Sequence, residues 1–166
     1  MRGLAVIVLL GLAQSAGAEP VFTPDATESC LATPKGQAHP QDCVGTAAEA
    51  CYSPPGVYSN VAIGYCLGQE ANYWDGRLNA AYSRLMTFER NLMDEMIEIG
   101  ATVPDAAAAL RDMQRAWITY RDAACGYDYA TFGGGTGGGP AHAACTMNLT
   151  ASQALALEMH LSQRGP

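Results

Sequence analysis

The sequence predicts an all-α protein stabilised by disulfide bonds. Apolar residues recur at helical spacing over long stretches after residue 60, no useful stretch alternates as a strand would, and cysteine occurs six times. About half of the 166 residues are hydrophobic and 15% are charged, which favours a packed core over a disordered chain. The expected architecture is an antiparallel helical hairpin plus a third helix, with an irregular, cysteine-bearing N-terminal cap.

The first 18 residues have the features of a secretory signal peptide. Arg2 precedes a mostly apolar run from Leu4 to Ala13, and Ala16-Gly17-Ala18 supplies a cleavage site of small residues. The run is shorter than the roughly 20 residues that a membrane-spanning helix needs. We therefore expect cleavage after Ala18, export to the bacterial periplasm or medium, and no membrane span in the mature protein.

The chain is acidic, with a formal net charge of −7. Removing the signal peptide takes away Arg2 and no acidic residue, so the mature charge is −8. An acidic surface argues against nucleic acid and against anionic membranes as partners. It favours a basic protein partner.

Export predicts that the six cysteines are paired, because pairing is the default in an oxidising compartment. Sequential pairing gives Cys30–Cys43, Cys51–Cys66 and Cys125–Cys145. Each pair closes a short loop, with about 3 kcal/mol of stabilisation per loop in the loop-entropy model. A Cys66–Cys125 bond is the main alternative, since both residues lie toward the same end of the hairpin. No C-x-x-C pair is present, which argues against zinc.

Residues 19–60 are rich in Pro, Gly, Thr and Cys and poor in long helical patterns. They predict a disulfide-tied cap with one short helix around Gln41–Cys51. The helical domain, residues 61–166, follows.

The first long helix is predicted over about 61–99. When each residue advances 100° around the helix axis, the apolar residues from Trp74 to Ile99 fall on one face and form an apolar stripe. Ser59 or Asn60 is the expected N-cap, and Gly100 ends the helix.

Two further helices are predicted. The segment Thr102-Val103-Pro104-Asp105 resembles a capping box with proline in the first turn, and Gly126 is a stop signal. The short connection makes this second helix antiparallel to the first. The third helix is expected over about Pro140–Ser162, after the glycine-rich segment Gly133–Gly139.

A charged residue interrupts the apolar stripe of the second helix. Arg121 lies on the same face as Trp117, and a buried guanidinium needs a carboxylate partner. The antiparallel hairpin should bring Asp75 of the first helix to this level. We therefore expect a structural network in which Asp75 pairs with Arg121 and Asn79 completes the hydrogen bonding.

No catalytic constellation is recognisable. Glu70 and Asp75 resemble a glycosidase pair only in composition, since on one helix they diverge by about 140°. The histidines His39, His142 and His160 lack a partner motif, and paired cysteines leave no free nucleophile. The glycine-rich segment lacks the Lys-Ser/Thr ending of a phosphate-binding loop. We expect no enzymatic activity, no cofactor and no metal.

The motifs of the three long helices together resemble those of a known family. The first helix contributes Cys66, Glu70, Trp74-Asp75, Leu78-Asn79, Tyr82 and Leu85; the second Gln114, Trp117, Arg121-Asp122 and Cys125; the third Cys145 and Leu149-Thr150. Over residues 66–157 this pattern resembles the LprI-like lysozyme-inhibitor family of exported bacterial proteins. The family pattern has an Arg shortly after the Leu-Thr pair, where this chain has Gln153.

The resemblance implies a non-enzymatic, all-helical envelope protein that binds another protein, with a basic lysozyme as the expected partner. The alternative is a structural or assembly protein of the envelope. The expected partner-binding loop comprises Pro54, Pro55, Val57 and Tyr58, at the tip of the segment between Cys51 and Cys66. The Gly133–Gly139 loop is a second candidate.

Overall fold

The computed structural model describes residues 19–164, and the predicted signal peptide lies outside the described residues. The fold is all-α, as predicted, and residues 19–164 contain no strand. The elements are α1 (Asp25–Ala32), α2 (Pro34–Ala38), a 3₁₀ turn (Pro40–Cys43), α3 (Thr46–Tyr52), α4 (Asn60–Glu98), α5 (Ala106–Ala130) and α6 (Gly138–Arg164). None of these helices has a stretch long and apolar enough to cross a bilayer.

Helix α4 is the longest element and matches its prediction closely. The hydroxyl of Ser59 caps it by accepting a hydrogen bond from the backbone N–H of Ala62. After the last turn, Gly100 adopts a left-handed conformation with φ +76°, which glycine allows without strain.

Helix α5 begins later and ends later than expected. Asp105, not Thr102, is its N-cap, because the Asp105 carboxylate accepts from the N–H of Ala108 at 2.7 Å. The helix continues through Gly126 to Ala130. A glycine inside a helix costs only about 1 kcal/mol, so neighbouring contacts can override it as a stop signal.

The core lies mainly between α4 and α6. Contacts between these two helices are the most extensive in the fold, and α5 packs on α6 more than on α4. The buried residues of this seam are Trp74, Leu78, Ala81 and Leu85 on α4 and Met147, Ala151, Ala154 and Leu157 on α6. Helix α5 therefore covers less of α4 than the sequence suggested.

Contacts along the bundle define the helix directions. Asn60 at the start of α4 hydrogen-bonds Thr136 just before α6, and Glu89 pairs with Arg164 at the end of α6. Helices α4 and α6 therefore run parallel. Helix α5 runs antiparallel to both, as its Cys125–Cys145 link to the first half of α6 indicates.

The cap contains more helix than expected, because its Pro and Thr residues start helices. Thr33 caps α2 by accepting from the N–H of Gly36, and Pro34 occupies the first position of that helix. Helix α3 overlaps the expected short helix around Gln41–Cys51, but it begins at Thr46 and ends at Tyr52.

The disulfides join the cysteines in chain order: Cys30–Cys43, Cys51–Cys66 and Cys125–Cys145. The first bond closes the cap on itself, the second joins α3 to α4, and the third joins α5 to α6. The sequential pairing is therefore the one present, and the Cys66–Cys125 alternative is wrong.

The α4–α6 seam predicts a sharp dependence on side-chain size. Ala154 is fully buried there, so Ala154→Leu should lower the free energy of unfolding by about 1–3 kcal/mol through overpacking. Ala80→Leu, at an exposed position of α4, is the control and should change it by less than about 0.5 kcal/mol. Urea unfolding measures both, and equal midpoints for the two variants would contradict the close packing of α6 on α4.

Candidate functional site

Glu70 is fully buried on α4, and its carboxylate accepts four hydrogen bonds. Its Oε1 accepts from the hydroxyl of Thr27 at 2.8 Å, from the N–H of Gly45 at 2.8 Å and from Nε1 of Trp74 at 3.2 Å. Its Oε2 accepts from the N–H of Ala48 at 2.7 Å. Four donors from three parts of the chain thus converge on one carboxylate.

Glu70 serves as the cap of α3. Gly45, the N-cap residue of that helix, has φ +93° and offers no side chain of its own. The carboxylate takes over the missing role and lies where a helix N-terminus favours negative charge. Thr27 completes the arrangement, since its hydroxyl accepts from the N–H of Ala47 at 3.1 Å. The backbone N–H groups of Gly45, Ala47 and Ala48 at the start of α3 therefore donate to side chains of α1 and α4.

Glu70 and Asp75 do not form a catalytic pair. The carboxylate of Glu70 is enclosed by its donors, whereas Asp75 is exposed and accepts from Nδ2 of Asn79 at 2.8 Å. A glycosidase needs both carboxyl groups to face a substrate. The arrangement gives Glu70 a structural role, which the sequence signalled by placing it 40° from Trp74, inside the apolar stripe of α4.

The predicted ion pair between Asp75 and Arg121 is wrong. The Nε and Nη2 atoms of Arg121 donate to the carboxylate of Asp122 at 3.0 and 2.8 Å, and its guanidinium stacks 5.0 Å from the ring of Trp117. Its side chain stays 20% exposed, so it needs no partner on α4. Because α5 packs mainly on α6, it does not hold Arg121 against the Asp75–Asn79 pair.

The sequence analysis missed an ion pair that does join two long helices. Arg77 of α4 donates to both carboxylate oxygens of Glu158 on α6, at 2.8 and 2.7 Å, and lies 4.7 Å from the ring of Trp74. Burial lowers the pKa of Arg77, but the hydrogen bonds and charge of Glu158 outweigh it, and the pKa is raised. The position of Arg77 at the border of the apolar stripe, one turn after Trp74, was the sequence signal for such a pair.

The predicted partner-binding loop divides into buried and exposed residues. Pro54, Pro55 and Tyr58 are exposed, and Tyr58 is 73% accessible. Val57 is only 6% accessible, so it is buried and offers little surface to a partner. The loop thus points Val57 inward and Tyr58 outward.

Tyr58 belongs to a larger exposed surface that the loop prediction missed. Val61 is 85% accessible and Tyr65 44%, and both follow Tyr58 at helical spacing on the side of α4 opposite Trp74. We call these three residues the aromatic patch. With Pro20 they line an open groove of about 570 Å³. Exposed apolar residues at helical spacing away from the core stripe are the signal that could have identified them.

The aromatic patch continues toward the glycine-rich loop. Val61 also lines a shallow depression with Gly64, Thr136 and Pro140, and Asn60 holds the loop by its 2.9 Å hydrogen bond to Thr136. The two candidate partner-binding segments therefore lie side by side at one end of the bundle.

The remaining candidate residues serve no common site. Nδ1 of His142 lies 3.1 Å from the carbonyl oxygen of Cys125, while His39 and His160 are exposed. In the described part of the chain, no group of three or more His, Cys, Asp and Glu residues is arranged to hold a metal ion.

Comparison with known families gives one result. The family model described as "Lysozyme inhibitor LprI" matches residues 51–157, well over half of the chain. No curated protein and no solved structure matches it. The matched segment contains Glu70, the aromatic patch and two of the disulfides, while Thr27 and Gly45, which bind Glu70, precede it.

The capping role of Glu70 predicts a clear contrast between two acidic residues of α4. Glu70→Gln should lower the free energy of unfolding by about 1–3 kcal/mol, because an amide N–H₂ replaces an acceptor among buried donors. Asp75→Asn is the matched control and should shift it by no more than about 0.5 kcal/mol. Urea unfolding gives the energies, and hydrogen exchange should show the faster opening in α3. A larger loss of unfolding free energy for Asp75→Asn than for Glu70→Gln would instead favour the predicted network of Asp75, Asn79 and Arg121.

Proposed function

Since the chain belongs to the lysozyme inhibitor LprI family, we propose that it is an exported bacterial protein that binds and inhibits a lysozyme without catalysing a reaction. The family match carries this proposal. The family is named for inhibition and not for catalysis, and it covers the part of the chain that contains the aromatic patch.

Export to the periplasm or medium is supported by the disulfides and by the N-terminal sequence. Three disulfides tie the described residues together, and such bonds persist in oxidising compartments. The predicted signal peptide would direct the chain there.

A non-catalytic role is supported by the partners of three carboxylates in or beside the core. The carboxylate of Glu70 caps α3, that of Glu158 binds Arg77, and that of Glu89 lies 2.8 Å from Arg164. Each of these groups already has a structural partner. A protein that acts by binding needs a shaped surface, and the exposed tyrosines provide one.

A basic lysozyme is the proposed partner because of the charge of the mature chain. At −8 the inhibitor would attract a cationic enzyme and accelerate the encounter. We propose further that the exposed loop around Tyr58 contacts this partner.

The proposal predicts inhibition that depends on salt. The purified, oxidised mature protein should slow lysis of bacterial cell walls by a basic c-type lysozyme in a dose-dependent manner. The association rate should fall between 0.1 and 1 M salt, because the screening length shrinks from about 10 Å to about 3 Å. Turbidity and surface plasmon resonance measure the two effects.

The control for this experiment is the protein alone, which should leave peptidoglycan intact. If c-, g- and i-type lysozymes all fail to form a complex at low salt, the inhibitor proposal is wrong. The structural or assembly role in the envelope would then be the better explanation.

A further inference from the structure

The cationic side chains are distributed unevenly along the bundle. No Lys or Arg occurs from residue 36 to 76 or from 122 to 163. These segments include α3, the first half of α4, the end of α5 and the glycine-rich loop, which together form the end that contains the aromatic patch. We call it the acidic end.

The opposite half carries charges of both signs. The arginines Arg84, Arg90, Arg111, Arg115 and Arg164 lie there, together with acidic residues such as Asp94 and Glu95. Of the cations that border these two segments in sequence, Lys35 lies 3.7 Å from Asp42, Arg77 pairs with Glu158 and Arg121 with Asp122. The charged side chains at the acidic end that lack a cationic partner are therefore negative.

Glu49 places negative charge close to the aromatic patch. It is exposed on α3, one turn before Tyr52, and the ring of Tyr52 packs edge to face on that of Tyr58 at 6.1 Å. Burial and the nearby carboxylate of Glu49 raise the pKa of Tyr52. Asp128, near the end of α5, adds a second carboxylate at the acidic end.

The aromatic patch is also held in a fixed conformation. Tyr58 lies in the segment closed by Cys51–Cys66, with Val57 buried before it and the capping Ser59 after it. Ordering a surface before binding lowers the entropic cost of the complex. Tyrosines are favoured as anchors because they combine apolar area with a polar tip.

We propose that the aromatic patch is the docking surface for the basic partner, with Tyr58, Val61 and Tyr65 at its centre and Glu49 and Asp128 as the acidic surroundings. This rests on the proposed function. The uncharged centre can be dehydrated at little cost, while the carboxylates around it attract the cationic surface of the lysozyme.

The first test removes the centre of the patch. The triple variant Tyr58→Ala, Val61→Ala, Tyr65→Ala should raise the Kd for a basic c-type lysozyme at least about tenfold. The matched control is Leu92→Ala, Ile97→Ala, Ile99→Ala, whose side chains are also exposed but lie at the opposite end. It should stay within about twofold of the unmodified protein, as expected for residues outside an interface. Thermal unfolding verifies that both variants fold.

The second test uses the sign of a single charge. Val61→Arg and Val61→Glu place side chains of similar length at the most exposed position of the patch. Facing a cationic partner, Val61→Arg should weaken binding more than Val61→Glu. Because Val61 contributes little buried surface, both variants should keep the fold.

The third test compares charges by position at constant net charge. Glu49→Gln with Asp128→Asn should lower the association rate at low salt several-fold, while Asp94→Asn with Glu95→Gln, at the other end of α4, should lower it less. Both pairs remove the same two charges, so only their location differs.

Several outcomes would overturn the docking surface. If the triple patch variant inhibits lysozyme as the unmodified protein does and its Kd is unchanged, the docking surface is wrong but the proposed function is not. If both double charge variants lower the association rate equally, only the net charge matters, and the carboxylates around the patch have no special role. Loss of self-association, or of binding to peptidoglycan fragments, with lysozyme affinity unchanged would assign the patch to a second copy or to carbohydrate. A wild-type protein that binds no lysozyme overturns the proposed function, and this surface with it.

Discussion

The buried carboxylate of Glu70 on α4 binds α1 and α3 at the same point. Helix α3 has only seven residues, too few to be stable alone, and it lacks a capping side chain. Glu70 supplies the cap from α4, and Thr27 adds α1 to the same network. The position of α3 in turn sets that of Tyr52, against which Tyr58 packs. A single acidic residue in the core thus contributes to the arrangement of an exposed surface.

Helix α4 has further charged residues that bind other parts of the chain. Glu70 lies within its apolar stripe, and Arg77 and Glu89 border it. Glu70 binds the start of α3, Arg77 binds Glu158 in the last third of α6, and Glu89 binds Arg164 at the end of α6. The seam with α6 is rich in alanine, which permits close approach but specifies register poorly. Charge pairs that are costly to break can fix that register. The apolar seam then supplies the driving force, and the ion pairs fix the alignment.

The sequence predicted what depends on local spacing and missed what depends on tertiary contacts. The bounds of α4 and the chain-order disulfides followed from periodicity, the cap residue Ser59 and short loops between cysteines. The partner of Arg121 did not, because periodicity shows that a residue lies on an apolar face but not which helix covers that face. Glu70 lay within the predicted stripe, yet two of its four donors are backbone groups 22 and 25 residues earlier, which no pattern marks. Val57 lies outside any periodic helix, so its burial was not visible either.

The division between inner and outer residues also bears on the proposed inhibition. The buried carboxylates of Glu70 and Glu89 are engaged in a cap and an ion pair, so the charges available to a partner are the exposed ones. The segment between Cys51 and Cys66 shows both uses within two residues, since Val57 anchors it in the core while Tyr58 faces outward. An inhibitor gains affinity from rigidity, because a surface ordered beforehand loses little entropy on binding. The disulfide and the Glu70 cap therefore contribute to the proposed function by holding the tyrosines in place, without contacting the lysozyme themselves.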